Sequence, residues 1–412
     1  MYLNKEDEKI LRGEQGLGYQ KAMEVLVAIG DIFDAEKLIK ISSSHLSSVA
    51  YESSGDTGIS FLERMIIDGA HFKVLTTLNP HSIEYDRWKE LAFPEAYVKK
   101  QLRNIEAYKK LGAVGTFTCT PFLVGNCPRY GEHVSWAESS ALSYINTVIG
   151  ARTNRESALS ALCAGIIGKT PYYGFHLDEN RKGTVLIDVK TVLKHGSDYS
   201  AMGYNIGKKV EGKVPVFNNI PQNVKGYDIN ALCAALAVSG AVPMSHIIGI
   251  TPEAPTLEKA FRNDNPEEKI TFDRVELEET YEDRCMKESG IEIDLAILGC
   301  PHYWYDQLAE TARLLNGKKI YKDVDLWVNT SSSIMTVAKR TGYIDLIEAS
   351  GAKVMCSYCP AVARNFFGWK TMATDSTKQT FYGHGVLGVD VLFGTTEQVI
   401  NAAISGKWGV NV

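Results

Sequence analysis

Eight cysteines are spread over 412 residues, at positions 119, 127, 163, 233, 285, 300, 356 and 359. That is far too sparse for a disulfide scaffold. Each thiol is therefore either a small core hydrophobe or a chemical group. Local sequence begins to separate the two. Cys119 stands in TFTCTPFLVGN, Cys300 in LGCPH and Cys359 in SYCPA. Each follows a run that reads as a strand, and each is flanked by Pro or Thr, which stiffen a turn. Three thiolates from separate strand ends could hold an iron–sulfur cluster by three corners, leaving a fourth iron open. Thiolates are the usual ligands of such clusters, and an open coordination position is what Lewis-acid catalysis requires. Spacing alone does not establish this, and a zinc site built from the same thiols is a competing reading. Cys356 and Cys359 also form a C-x-x-C pair, which suits a redox dithiol or half of a metal knuckle. A thioredoxin-like role wants that pair after the first strand of a small domain, not near residue 356 of 412.

The elements that must position these residues follow a repeated grammar: a short apolar run, a small or polar turn, then a helical stretch. Residues 37–41 (KLIKI) lead into SSSHLSS, 72–78 (FKVLTTL) into Asn79-Pro80, and 114–118 (VGTFT) into Cys119. Residues 293–298 lead into Gly299-Cys300-Pro301, 324–328 into NTSSS, 353–355 into CSYCP, 371–374 into Asp375-Ser376-Thr377-Lys378, and 389–393 into GTTEQ. Apolar strands alternating with helices predict an α/β fold with parallel sheets covered on both faces. Ligands of such sheets bind beyond the carboxyl ends of the strands. The three cysteines, Ser376, Lys378, Asn79 and the seryl runs all fall at such ends. Small polar residues also start helices as N-caps, which is the plainer explanation for some of them.

Other motifs exclude functions. GHGVLG (383–388) has the letters of a dinucleotide fingerprint, but a helical stretch precedes it and a strand follows, so it reads as a glycine-rich turn. GIIGKT (165–170) lacks the first glycine of a P-loop, since Cys163 stands there. No HExxH occurs, and the nine histidines do not cluster. His133 and His176 stand in polar contexts that could face a site, though a satisfied surface or core histidine is the plainer reading of each. Asn154-Arg155-Glu156 reads either as an anion-recognition unit or as a helix start with a salt bridge. The net charge of −5 excludes a strongly basic nucleic-acid binder. The longest apolar run, 231–243, is too short to span a bilayer. The charged N-terminus lacks a signal-peptide core and predicts a helix capped by Asn4. A reduced, cytoplasmic setting with no membrane partner is expected. The polar stretch 262–287 is expected to be a surface excursion or a seam, with two to three lobes meeting near 150 and 265–290.

Taken with TTLNP (76–80), GEHVSWAESSA (131–141), GARTNRE (150–156), HLDENR (176–181), GITPEAPTLE (249–258) and DSTKQTFY (375–382), these segments identify a resemblance over essentially the whole chain. The sequence resembles the large, catalytic subunit of aconitase X, a branch of the aconitase superfamily. The resemblance implies layered α/β/α parallel-sheet lobes without the superfamily's swivel domain. It implies a [4Fe–4S] cluster, with [2Fe–2S] as the alternative, on Cys119, Cys300 and Cys359; Cys356 has no counterpart in it, though the C-x-x-C spacing makes Cys356 a rival to Cys359 as ligand. It implies a hydro-lyase completed as a heterodimer by a small swivel-domain subunit that supplies a serine base, so no catalytic base is expected in this chain. The implied reaction is dehydration of (R)-5-phosphomevalonate to trans-anhydromevalonate 5-phosphate, in the mevalonate route of isoprenoid biosynthesis. Dehydration of cis-3-hydroxy-L-proline is the alternative, and a non-catalytic metal-binding subunit a second one. Substrate contacts are expected from Ser48, Val49, Ala50, Asn79, Pro80, Ser139, Arg155, Ser376 and Lys378. In the phosphomevalonate branch the first of these turns reads roughly Gly-Val-Ser, where this chain has Ser48-Val49-Ala50.

Overall fold

The computed structural model describes residues 1–285 and 289–410. Three all-parallel sheets carry the fold. The first has Ser43–Leu46 between Leu75–Leu78 and Ser135–Trp136. The second runs His246–Ile247, Pro215–Asn218, Val185–Val189, Glu268–Phe272. The third runs Lys353–Met355, Asp325–Thr330, Leu295–Tyr303, Thr371–Thr374, Asp390–Phe393. In each sheet the earliest strand is internal, and later strands are added on one side and then the other. That reversal opens a crevice at the carboxyl end of the earliest strand.

The third sheet shows why apolar runs become parallel strands here. Side chains alternate faces along a strand. Ala296, Leu298, Leu326 and Val328 pack against the helices Tyr305–Leu315, Tyr343–Ala349 and Thr396–Ser405. Leu295, Ile297, Trp327 and Met372 pack on the other face against Phe93, Tyr97 and Val98, from the first sheet's part of the chain. A sheet buried on both faces needs apolar residues at every position, and this second layer joins the segment after the first sheet's strand Leu75–Leu78 to the third sheet.

Most expected strands of the first and third sheets contain an observed one. Two do not. Leu38–Lys40 is only an edge piece, antiparallel to Lys169–Pro171, and the interior strand is the polar SSHL segment, Ser43–Leu46, buried at all four positions. Its polar groups are matched: Ser44 Oγ donates to the carbonyls of Ser135 and Ala161 at 2.9 and 2.8 Å, and His45 Nδ1 lies 2.8 Å from Thr77 Oγ1. Matched groups escape most of the burial penalty. Residues 114–118 form no strand; Val114 makes one isolated bridge to Thr77, and Phe117 takes a left-handed conformation (φ 44°).

The N-terminal helix Lys5–Leu11 is capped by Asn4 Oδ1, which accepts from the amides of Glu6 and Asp7. The 231–243 run lies largely in the buried helix Gly226–Gly240, and among the described residues no helix is long and apolar enough to cross a membrane. In GIIGKT the helix Ala158–Ile167 comes before the glycine turn and a strand after it, the reverse of a phosphate loop. GHGVLG is not a plain turn: Gly383–Leu387 continues the helix Thr377–Tyr382 as a π-helical turn. The polar stretch 262–287 is no excursion. It supplies the edge strand Glu268–Phe272 and the helix Arg274–Arg284, started by an Asp273/Glu276 capping box. Residues 286 and 287 lie outside the described residues.

Candidate metal centre

Cys300 sits inside a strand rather than beyond its end. The ladder between Leu295–Tyr303 and Asp325–Thr330 runs from Leu295 to Leu298, breaks, and resumes at Tyr303 opposite Thr330. Gly299-Cys300-Pro301-His302 bulges out of register. Gly299 has φ 87°, and a Cβ there would stand 2.1 Å from the carbonyl oxygen of Asn329. Only glycine fits, so the bulge that presents the thiol is built into the sheet. Gly299→Ala is expected to destabilise the cluster-free chain by about 2–5 kcal/mol, from left-handed strain plus overpacking. Denaturant unfolding reads this directly, and an unchanged midpoint would show that the bulge relaxes freely.

His302 ties the three cysteine arms together. Its backbone amide donates to Cys119 Sγ at 3.2 Å. Its ring Nδ1 lies 3.1 Å from Thr118 Oγ1, on the Cys119 arm, and Nε2 lies 3.3 Å from the carbonyl of Tyr358, on the Cys359 arm. Burial lowers its pKa to about 4 and keeps the ring neutral. Cys359 opens the short turn Pro360–Val362, and its amide donates to the carbonyl of His81 at 2.8 Å. The sequence marked GCPH as a motif but gave no sign that its histidine was the junction.

The three thiols share one electrostatic neighbourhood. Cys300 acts on both Cys119 and Cys359, and Lys378 and Glu138 act on all three. Burial pushes every thiol up, Cys300 to about 11 and Cys359 to about 12, while the Lys378 ammonium opposes the shift. Cys119, Cys300 and Cys359 form no disulfide. Among the described residues no three His, Cys, Asp or Glu side chains are grouped so as to hold a single metal ion. A cluster receives each thiolate on its own iron, so its ligands surround a body rather than a point.

Lys378 comes from the first turn after Thr371–Thr374, and Glu138 from just beyond Ser135–Trp136. The crevices of the third and first sheets thus meet in one buried ion pair, Lys378 Nζ to Glu138 Oε1 at 2.6 Å. Burial would raise the Glu138 pKa, but the ammonium and the Ser140 donors outweigh it and hold the carboxylate at about 2. The turn carrying Ser376 and Lys378 is pinned by Asp375, which accepts from the hydroxyls of Tyr303 and Thr396.

A cavity of about 290 Å³ opens beside the pair, and Cys359 lies in its wall. Ser48, Ala50, Asn79, Pro80, Ser139, Arg155 and Lys378 line it as well. Val49 is buried behind this wall, its carbonyl accepting from Gln101 and Asn104. Ser376 lies elsewhere: its hydroxyl accepts from the Gln379 amide, and with Cys300 it lines a second cavity of about 410 Å³. Ser48 has φ 59°. A glycine takes that conformation freely and a serine at a cost, so the Ser48-Val49-Ala50 turn differs from Gly-Val-Ser in backbone strain. Of the Asn154-Arg155-Glu156 unit, Arg155 is exposed at the cavity and Asn154 is spent on the backbone of Phe175 and Tyr173. Glu156 is buried with Oε1 unpartnered. His133 and His176 pair with each other at 3.0 Å. Cys356 turns its thiol to Glu84 Oε1 at 3.2 Å, in a third cavity with Arg87 and Arg340.

Comparison with known proteins gives a consistent match. Family models described as the aconitase X first, second and third domains match residues 1–179, 183–282 and 293–405. The chain is 44% identical over 407 residues to the phosphomevalonate dehydratase large subunit of Methanocaldococcus jannaschii, covering 97% of this chain and 99% of that one. It is 33% identical to a cis-3-hydroxy-L-proline dehydratase of Pseudomonas aeruginosa, covering 97% of this chain but 70% of that protein. The crystal structure of Thermococcus kodakaraensis aconitase X in its holo-form superposes with a TM-score of 0.90 at 38% identity, covering 98% of this chain and 100% of that one.

Proposed function

The chain belongs to the aconitase X family, and from that premise we propose that it is the large subunit of an iron–sulfur hydro-lyase that dehydrates (R)-5-phosphomevalonate to trans-anhydromevalonate 5-phosphate. The observation that carries the proposal is the meeting of three cysteine arms around His302 beside the buried Lys378–Glu138 pair, with Cys359 at the wall of a cavity. The donor set fits a cluster: Cys119, Cys300 and Cys359 would hold it, [4Fe–4S] being favoured over [2Fe–2S] because three ligands suit a cubane with one iron free. When bound, such a cluster supplies a Lewis acid for the substrate's hydroxyl and carboxylate oxygens.

The chain's own residues supply charge and position. Lys378, held ionised by Glu138, faces the substrate carboxylate. Arg155, exposed at the cavity and without an ion-pair partner among the described residues, is placed for a phosphate. Ser48 and Ser139 line the same cavity. The base that removes the α-proton must come within about 3 Å of it. Glu138 is committed to Lys378, and the resemblance to the aconitase superfamily implies a serine base from a small swivel-domain subunit. The relatives' description as large subunits supports such a partner. A thiolate-held cluster suits the reducing cytoplasm.

The test is anaerobic reconstitution with the cognate small subunit, offering phosphomevalonate and cis-3-hydroxy-L-proline side by side. The expected result is a brown heterodimer absorbing near 400 nm that dehydrates only the first compound, with salt-sensitive binding. Turnover of hydroxyproline alone would transfer the assignment to that substrate, and turnover by the large chain without a partner would refute the heterodimer.

A further inference from the structure

Glu138 uses its two carboxylate oxygens differently. Oε1 accepts from Lys378 Nζ at 2.6 Å and from the amide and hydroxyl of Ser140 at 3.2 and 2.8 Å. Oε2 accepts from Asn79 Nδ2 at 2.9 Å. Behind Asn79 runs a buried line of donors. Asn126 Nδ2 donates to Thr77 Oγ1 at 2.8 Å, Thr77 Oγ1 stands 2.8 Å from His45 Nδ1, and His45 Nε2 stands 3.3 Å from Asn79 Oδ1. His45 is fully buried and neutral. One assignment of its proton, on Nε2, satisfies every member: Asn126 donates to Thr77, Thr77 to His45, His45 to Asn79, and Asn79 to Glu138. Every donor then points toward the carboxylate, and each bond polarises the next. Asn79 lines the cavity, yet both ends of its amide are spent in this line.

Lys378 is 7% exposed, and an ammonium so buried stays charged only beside a fixed opposite charge. One of its three N–H groups goes to Glu138, and a second reaches Ser139 Oγ at 3.4 Å. The third remains for an anion in the cavity. We propose that Glu138 is a positioning residue of the dehydration: with its charge blunted by the donor line from Asn126, it fixes the Lys378 ammonium where the carboxylate of a β-hydroxy acid must lie. Glu138 acts through Lys378 and does not itself touch substrate. The proposal rests on the hydro-lyase reading but not on the choice of substrate, because phosphomevalonate and 3-hydroxyproline both carry a carboxylate β to the hydroxyl.

The experiment is a double-mutant cycle in the anaerobic heterodimer: Glu138→Gln, Lys378→Met and both together, assayed with whichever of the two acids the wild type dehydrates. Rates are expressed per cluster from the absorbance near 400 nm, and melting temperature is recorded beside kcat and KM. Each single change is expected to lower kcat/KM by about 10²-fold, with a raised KM. The double variant is expected to lose no more than Lys378→Met alone. Glu138→Asp, which keeps the charge on a shorter arm, is expected to recover part of the loss. Additive losses would overturn the proposal, as would Glu138→Gln with wild-type kcat and KM per cluster. Loss of the cluster in Glu138→Gln would also overturn it, since the residue would then serve assembly of the centre. A wild-type heterodimer inert toward both acids fails the hydro-lyase reading itself, and that is seen before any variant is made.

Discussion

Cys300→Ala is expected to give a folded but colourless chain whose heterodimer turns over at less than about a thousandth of the wild-type rate. The reasoning starts from the bulge. Gly299 and the carbonyl of Asn329 fix the backbone at Cys300 independently of the thiol, so trimming the sulfur leaves the strand in place. The side chain lost is small, and the expected cost in stability is about 1 kcal/mol. The centre loses one of three thiolates, and it is the one that acts on both of the others. Lewis-acid activation contributes several kcal/mol to such a reaction, which is roughly 10³-fold or more in rate. Melting measured beside the absorbance near 400 nm separates this outcome from simple unfolding. A variant that kept both colour and rate would remove Cys300 from the ligand set, and with it the role assigned to the bulge.

How legible each part was in the sequence follows from where its stabilising partners lie. The strands of the third sheet announce themselves because both faces are covered, so every position must be apolar and the run stands out. Ser43–Leu46 has the same structural rank in the first sheet, yet SSHL looks like a loop. Its partners are the carbonyls of Ser135 and Ala161 and the hydroxyl of Thr77, all remote in sequence. The three cysteines were visible as turn residues, but the mechanism that gathers them was not. Cys119 follows a loop rather than a strand, and Cys300 lies within a bulge; His302 joins both to the Cys359 arm. Lys378 was visible as the end of a DSTK turn. Glu138, hidden in SWAESS as the acid that starts a short helix, was not: an ion pair between positions 138 and 378 has no local signature. Arg155 shows the opposite limit. Its neighbours in the chain looked like one recognition unit, and the fold turns all three to different tasks.

The two members of the C-x-x-C pair are expected to separate completely under mutation. Cys359→Ala should lose the colour and at least about 10³-fold in rate, for the same reasons as Cys300→Ala. Cys356→Ala should keep both. The sequence offers either cysteine as the third ligand, since they lie three residues apart on one turn. The backbone places them differently. The amide of Cys359 is anchored on His81, and its sulfur lies in the cavity wall with Lys378. Cys356 faces away, where its thiol and amide, together with the amide of Ser357, all donate to Glu84. Burial raises the pKa of that carboxylate, and these donors are what oppose the shift. Removing the thiol leaves one oxygen of Glu84 with a donor fewer, at a cost of about 1 kcal/mol. Cys356→Ser restores a donor and should restore most of that stability. Cys356 thus serves the carboxylate that braces the Cys359 arm, and its removal should appear in the denaturation midpoint and not in the spectrum. If Cys356→Ala bleaches the protein while Cys359→Ala stays brown, the cluster is held from the other side of the turn. The cavity beside Lys378 would then lose its claim to be the active site.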